Sequence, residues 1–361
     1  MEKKKSSFGR LLLGFFIALL CALLVAAIGL FGWLTATEYR PQPKEAMKLS
    51  GTAGEKLREG GTFTLMSWNI GYCGLGDDAD FFMEGGDMVR ASDEARVREN
   101  IMNIITGIRE VSPDVLFLQE VDSDSTRSYH IDQTQIMDDL DSDDVSSEAL
   151  YYSVKFVPYP IPPIGEVHTS LQTLSQFPVK DATRVQLPVP FSWPVRTANL
   201  KRCLLVDRVP IEGSDKELVL INLHLEAYDE GEGKIQQTRQ LLKVMQEEYD
   251  KGNYVVAGGD FNQTFSNIDN SAYPQQEGLW SIDAIDTKTF APHFQLLMDP
   301  SVPTCRGTHM PYKGADPKTF QYYMIDGFIV SDNLDVASVT TVDHGFRNSD
   351  HNPVVLEATL K

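Results

Sequence analysis

Five short apolar runs in this chain each stop at a carboxylate, an amide or an imidazole. They are Ser67-Trp68-Asn69-Ile70, Leu118-Gln119-Glu120-Val121, Asn222-Leu223-His224-Leu225, Gly258-Gly259-Asp260-Phe261-Asn262 and Ser349-Asp350-His351-Asn352-Pro353. Runs of this kind, cut off by turn-forming residues, read as strands buried in a sheet. Strand ends that all present such groups gather them at one mouth. The gathered set is hard oxygen ligands and histidines, with no cysteine among them. That donor set suits a magnesium-like ion and the hydrolysis of a phosphate ester.

The elements around these runs alternate in type. Thr62–Ile70 alternates like a strand and ends on Asn69. Ala95–Val111 carries Val97, Ile101, Ile104, Ile105 and Ile108 at helical spacing, and Pro113 follows its end. Val115–Leu118 is a buried strand delivering Glu120. Leu218–Leu223 is a strand ending at His224, Lys234–Tyr249 an amphipathic helix, and Tyr254–Ala257 a strand delivering Asp260. Thr173–Ser175 and Cys203–Val206 are strand-like. Phe328–Val330 and Val354–Ala358 are expected to close a second sheet. Asp77–Asp93 reads as a loop, and Tyr151–Gly165 as extended, irregular chain near the site. Ser266–Tyr312 reads as a substrate-side insertion. Asp122–Glu148 holds nine Asp/Glu without EF-hand spacing, so a solvated loop and helix is expected there rather than a calcium site.

The first 35 residues are of another kind. Lys3, Lys4, Lys5 and Arg10 precede an uncharged apolar run from Leu11 to Leu34. At ~1.5 Å per residue the run spans roughly 36 Å, enough to cross a bilayer with some tilt. A cleaved signal peptide is the competing reading, but the run is long for one and Leu34-Thr35-Ala36 is a poor small-x-small cleavage site. Leu20 before Cys21 disfavours a lipoprotein. The expectation is an uncleaved, single-pass signal anchor over residues 11–35 in the cell membrane. Residues 1–10 form its cytoplasmic basic tail, residues 36–61 are a polar linker rich in Pro and Gly, and residues 62–361 form an extracytoplasmic domain. Cys73, Cys203 and Cys305 cannot all pair with one another, and buried free thiols are the default.

The chain of 361 residues carries a net charge of −19. Beyond residue 35 there are 28 Lys/Arg against 50 Asp/Glu, a net of −22. Such a surface repels nucleic acid and anionic lipid at long range and weighs against tight nonspecific binding of DNA or RNA. A cleft lined by metal can still be locally positive.

The five phrases in this order, with Met324-Ile325-Asp326-Gly327-Phe328 as a sixth, resemble the endonuclease/exonuclease/phosphatase superfamily from about Thr62 to the C-terminus. Its branches include DNase I-like nucleases, abasic-site endonucleases, neutral sphingomyelinases and inositol-polyphosphate phosphatases. The resemblance implies an α/β four-layer sandwich, two packed mixed β-sheets flanked by helices, here preceded by one N-terminal transmembrane helix. It implies a Mg²⁺-dependent phosphoesterase, with Mn²⁺ as a substitute, acting as a monomer on a phosphate-ester substrate.

The resemblance also implies roles. Glu120 matches the metal-binding glutamate, and Asn69 the asparagine that supports metal and phosphate. Asp260 matches the aspartate that orients and deprotonates the attacking water, and Asn262 its phosphate-contacting partner. His351 matches the histidine that donates to the scissile phosphate or acts as acid/base, oriented by Asp326. Asp350 matches a metal-side or water-orienting carboxylate. His224 matches a second histidine of the DNase I-like and sphingomyelinase-like branches, with general acid as its role. Read alone, each is an ordinary strand-end or turn residue; the order and spacing favour chemistry. Arg202 and Lys155 are candidates for phosphate contact. The nuclease and the lipid or sugar-phosphate diesterase stay open, and a non-catalytic binding protein is disfavoured because Glu120, Asp260 and His351 are all present.

Overall fold

A computed structural model describes residues 3–141, 143–229 and 231–361. Lys3–Ala36 is one helix, and its segment Phe8–Ala36 is long and apolar enough to cross a membrane. The remaining chain builds two seven-stranded sheets. One runs, edge to edge, Lys44–Met47, Asp181–Gln186, Cys203–Pro210, Glu217–His224, Tyr254–Asp260, Asp326–Ser331 and Phe294–Leu297. The other runs Leu334–Thr341, Val354–Leu360, Thr62–Asn69, Val115–Asp122, Gly165–Ser175, Val145–Val157 and Leu49–Ser50.

Each sheet is antiparallel apart from one parallel pair joined through a helix. Thr62–Asn69 and Val115–Asp122 are parallel, with helix Glu94–Val111 between them in the chain. Glu217–His224 and Tyr254–Asp260 are parallel, with helix Glu232–Tyr249 between them. Asp93 caps the first helix by accepting a hydrogen bond from the Arg96 backbone N–H at 2.8 Å. Ser112 ends it in the left-handed region, just before Pro113.

Packing follows from which side chains alternate to which face. Phe63, Leu65, Phe117 and Leu356 of one sheet meet Leu220, Val256, Phe328 and Val330 of the other in a shared core. The outer faces are covered by the two helices. Val97, Ile101, Ile104 and Ile108 lie on Met66, Trp68, Leu116 and Leu118. Leu241 and Met245 lie on Val219, Ile221 and Val255. The four-layer sandwich expected from the sequence is the fold observed.

Three expectations need correction. Residues 36–61 are not a free linker: Lys44–Met47 pairs with Asp181–Gln186, and Leu49–Ser50 with Val145–Val157, so this stretch closes an edge of both sheets. Short, polar edge strands carry little apolar signal, because only one flank is paired. Phe328–Val330 and Val354–Ala358 belong to different sheets; strand periodicity says nothing about which sheet a strand joins. Tyr151–Val157 is regular strand within Val145–Val157, leaving only the proline-rich turn irregular. The insertion Ser266–Tyr312 adds the edge strand Phe294–Leu297. All four cysteines are free, and Cys73, Cys203 and Cys305 are buried.

Candidate active site

Strand direction explains how the predicted residues meet. The parallel strands bring their C-terminal ends, with Asn69, Glu120, His224 and Asp260, to one end of the sandwich. Antiparallel neighbours arrive at the same end by their starts, with Asp326 opening its strand and His351 just before Val354. In register, Asp260 lies between His224 and Asp326 on adjacent strands.

The hydrogen bonds knit these groups together. His351 Nδ1 and Asp326 Oδ2 are 2.8 Å apart. The His351 Nε2 atom is 3.7 Å from Asp260 Oδ2, and His224 Nε2 approaches that same oxygen to 3.4 Å. The Asn69 amide nitrogen donates to Asp260 Oδ2 at 3.0 Å and to Glu120 Oε1 at 3.2 Å. Its oxygen accepts the Gly71 N–H at 3.0 Å, so in this amide orientation Asn69 braces the carboxylates by donation and turns its oxygen away from them. The Asn262 backbone N–H donates to Asp260 Oδ1 at 2.8 Å, and the Asn262 side chain donates to the Leu225 carbonyl.

Local backbone devices aim the groups. Glu120 sits at φ 56° where the pairing of Val115–Asp122 with Gly165–Ser175 slips between Leu118 and Val121. A bulge there turns a side chain off the regular alternation and into the cavity. Asn262, at φ 50°, is of a residue type that tolerates the left-handed region. Gly259, at φ 142°, cannot be anything larger, because a Cβ would collide with the Leu223 carbonyl.

Electrostatics divide the two histidines. Burial is the strongest single influence on His351 and disfavours its imidazolium, but Asp326 against its ring, joined by Asp350 and Cys305, holds its pKa well above the ordinary value. His224 is pushed well below, by burial and then by the Arg202 guanidinium, and rests neutral. Burial, and then Asp326, push the Asp260 carboxyl up to about 7. Burial also raises Asp350.

The donor set fits a hard divalent cation. Glu120 and Asp350 line the same cavity as Asp260, His224 and His351. Among the described residues the hydrogen bond to the Asp350 side chain comes from Ser349 Oγ at 3.4 Å, which leaves most of its lone pairs free. Buried oxygen ligands with spare lone pairs suit magnesium or manganese better than softer ions. Asp260, Asp326 and His351 form one close cluster, and Cys305, Asp350 and His351 another. Burial holds Cys305 far above the ordinary thiol range, so it stays protonated and is no ligand for such an ion.

Other candidates sort plainly. Arg202 is buried on the cavity wall, donating to the His224 carbonyl at 3.1 Å and lying 3.4 Å from Glu226. Lys155 pairs with Glu166 at the surface. His344 stacks on Trp68 beneath the sheet. Sequence reasoning passed over Tyr151, whose hydroxyl is 3.2 Å from His224 Nδ1. It also passed over the buried Arg127–Asp122 pair, at 2.9 Å, whose guanidinium covers the Tyr72 ring and reaches to 4.0 Å of Glu120. Asp122 was expected in a solvated stretch; its hydrogen-bonded arginine is what permits burial. A lone arginine five residues past an acidic strand end was the available signal.

Residues 66–351 match the model of the Endonuclease/Exonuclease/phosphatase family. The chain belongs to that family. Its members are hydrolases of phosphoester bonds, nucleases and phosphatases among them, and so is this chain a phosphoester hydrolase. Family enzymes use divalent metal ions. The fold is similar to an endonuclease/exonuclease/phosphatase from Beutenbergia cavernae, with TM-score 0.55 and 21% identity over 83% of this chain and 72% of that one. It is similar to the human Nocturnin catalytic domain, with TM-score 0.51 and 17% identity over 87% of this chain and 98% of that one. It is also similar to ANGEL2, a 2',3'-cyclic phosphatase, with TM-score 0.53 and 14% identity over 87% and 98%. A comparison with curated protein sequences finds no match.

Proposed function

We propose that this protein is a divalent-metal-dependent phosphoesterase, tethered to the cell membrane by its N-terminal helix with the catalytic domain outside the cytoplasm. The observation that carries the catalytic reading is the joined set of Asn69, Asp260, His224 and the His351–Asp326 pair, on one cavity wall with Glu120 and Asp350. Glu120 and Asp350 would hold Mg²⁺ or Mn²⁺, with Asn69 bracing Glu120. The ion would supply positive charge against the phosphoryl oxygens.

The chain's own residues do the remainder. Asp260, fixed by Asn69 and the Asn262 N–H, orients the attacking water and takes its proton. His351, charged and held by Asp326, donates to a phosphoryl oxygen as charge grows there. His224 is 3.4 Å from the oxygen that receives the water's proton, so it is placed to return a proton to the leaving oxygen. The water oxygen bonds to phosphorus, the ester P–O bond breaks, and an alcohol departs. A resting, neutral His224 modifies the general-acid expectation: the proton it gives is one it first receives.

The test is turnover of bis(4-nitrophenyl) phosphate by the full chain with Mg²⁺, with Mn²⁺, and with excess chelator. Turnover with either ion and none with chelator is expected. Undiminished turnover in chelator would refute the metal dependence.

A further inference from the structure

Beyond the catalytic groups, the cavity is walled by apolar residues, and the membrane-type helix supplies part of that wall. The cavity is about 720 Å³. Phe31 and Leu34, nearly one turn apart on the helix, line it together with Phe82, Tyr159, Pro194 and Val195. Leu34 is buried against the domain. The helix end is pinned at this place. Trp193 donates from Nε1 to Thr35 Oγ1 at 3.0 Å, and its ring lies 6.3 Å from that of Phe31. Glu38, just past the helix, lies 3.4 Å from Lys201 and 3.5 Å from Arg196.

The rim of the mouth is apolar as well. Of the lining residues Tyr159 is 68% exposed and Val195 57%; beside them in the chain Ile161 is 94% exposed and Trp193 55%. Exposed apolar groups gathered at one opening mark a surface that is covered in use. Here the cover is identified by continuity with the helix. Leu34 is among the last residues of the apolar run, so the mouth lies where a spanning helix leaves the hydrocarbon for the headgroup layer. Tyr and Trp are the residues favoured at that level.

We infer that the substrate is a phosphate-ester lipid drawn from the bilayer. Its hydrocarbon chain lies on the wall of Phe31, Leu34, Tyr159 and Val195 while its phosphate reaches Asp260 and His351. The net charge of −22 beyond residue 35 favours this over a nucleic acid, which carries a charge at every phosphate. The inference rests on the phosphoesterase and membrane-anchor readings above. The chemistry is the hydrolysis already described, water adding to phosphorus and the ester oxygen leaving with a proton.

The test uses the full chain held in amphipol with Mg²⁺ and follows bis(4-nitrophenyl) phosphate turnover. Butyl-, octyl- and dodecylphosphocholine, kept below their micelle concentrations, serve as inhibitors. Burial of each methylene on the wall should tighten inhibition by roughly two- to fourfold. Val195→Asp and Tyr159→Asp, at exposed rim positions, should flatten that series, read within each variant as the dependence of its inhibition constants on chain length. Reconstituted in vesicles of phosphatidylcholine, phosphatidylethanolamine, phosphatidylglycerol and sphingomyelin in equal parts, the chain should release lipid hydrolysis products and leave plasmid DNA and RNA intact. An inhibition series independent of chain length overturns the inference while the enzyme still turns over the aryl ester. Cleavage of DNA or RNA with the vesicle lipids untouched overturns it in favour of a nuclease. Absence of aryl ester turnover refutes the phosphoesterase reading, and the lipid inference falls with it.

Discussion

Asp207 should make this domain less stable as the solution approaches neutrality, and Asp207→Asn should remove that dependence. The residue sits mid-strand in Cys203–Pro210, between Ala182 and Leu220 on neighbouring strands, with no solvent exposure. Its carboxyl faces the hydroxyls of Ser147 and Thr173 on the other sheet, which are themselves paired across their strands. Neither carboxyl oxygen makes a hydrogen bond of ordinary length, and neither do those hydroxyls. Burial, only partly offset by the two hydroxyls, pushes the carboxyl from 3.8 up to about 7.

The sign follows from proton counting. Between 3.8 and about 7 the folded chain holds this proton and the unfolded chain has lost it. Unfolding then releases a proton, so stability falls as pH rises through that window and levels off above it. At ~1.4 kcal/mol per pH unit the full loss is about 4 kcal/mol, of which about 3 kcal/mol falls between pH 5 and pH 8. Asparagine keeps the shape without the titration. The measurement is urea unfolding of the full chain and of Asp207→Asn, in one mild detergent and at one ionic strength, at pH 5 and pH 8. The variant's advantage should grow by about 3 kcal/mol from the lower to the higher pH, because every other group titrates alike in both proteins. An advantage that is the same at both pH values would refute the reasoning, whatever its size.

Four further outcomes are expected. Asp260→Asn keeps the shape but loses the group that takes the water's proton, so turnover should fall by about 10³-fold or more for every ester. His224→Ala should instead depress alkyl esters far more than an aryl ester, whose leaving group departs without a proton; equal fractional losses in both would return His224 to a structural role. Gly259→Ala forces a Cβ against the Leu223 carbonyl and should lower stability by about 3 kcal/mol or more, read as a shift in the denaturation midpoint, and a neutral result would show that this strand pair can spread. Protease added to intact cells should remove the domain and leave an N-terminal stub, whereas a domain protected until lysis would reverse the topology.

Much of the site was legible because strand ends write their contents into short phrases. Glu120, Asp260 and His351 each follow or precede an apolar run that can only be a strand, and the helices between the parallel pairs show their 3.6-residue period openly in Val97, Ile101, Ile104 and Ile108. Other features depend on partners distant in the chain and leave no local trace. The edge pairing of Lys44–Met47 is set by Asp181–Gln186, far along the sequence. The burial of Asp207 is set by which face of Cys203–Pro210 meets the other sheet, and alternation alone does not reveal a polar group turned inward. Tyr151 reaches His224 only because Val145–Val157 lies across from the strand that carries it. The apolar wall was the least legible, being assembled from the helix end and several loops that share no motif.

The two parallel pairs explain why chemistry and the proposed membrane contact can sit at one end of the sandwich without conflict. Each pair sends its strand ends, and so its polar side chains, to the same edge, and there the sheets are joined by hydrogen bonds rather than apolar contact. Gln119 of one sheet donates to Asn222 of the other at 2.8 Å, and Asn222 donates to the Leu118 and Gln172 carbonyls. Below this bridge the interior is the apolar core of Phe117, Val256 and Phe328; above it the groups face the cavity. The bridge fixes Glu120 and His224, which follow Gln119 and precede Leu225 by one residue, relative to each other across the sheet boundary. A directional polar link of this kind resists slippage between the sheets better than apolar packing, which is non-directional. The spacing of the candidate site is therefore set inside the sandwich, and the loops and helix end that shape the mouth are free to be apolar, as the proposed lipid substrate requires, without disturbing it.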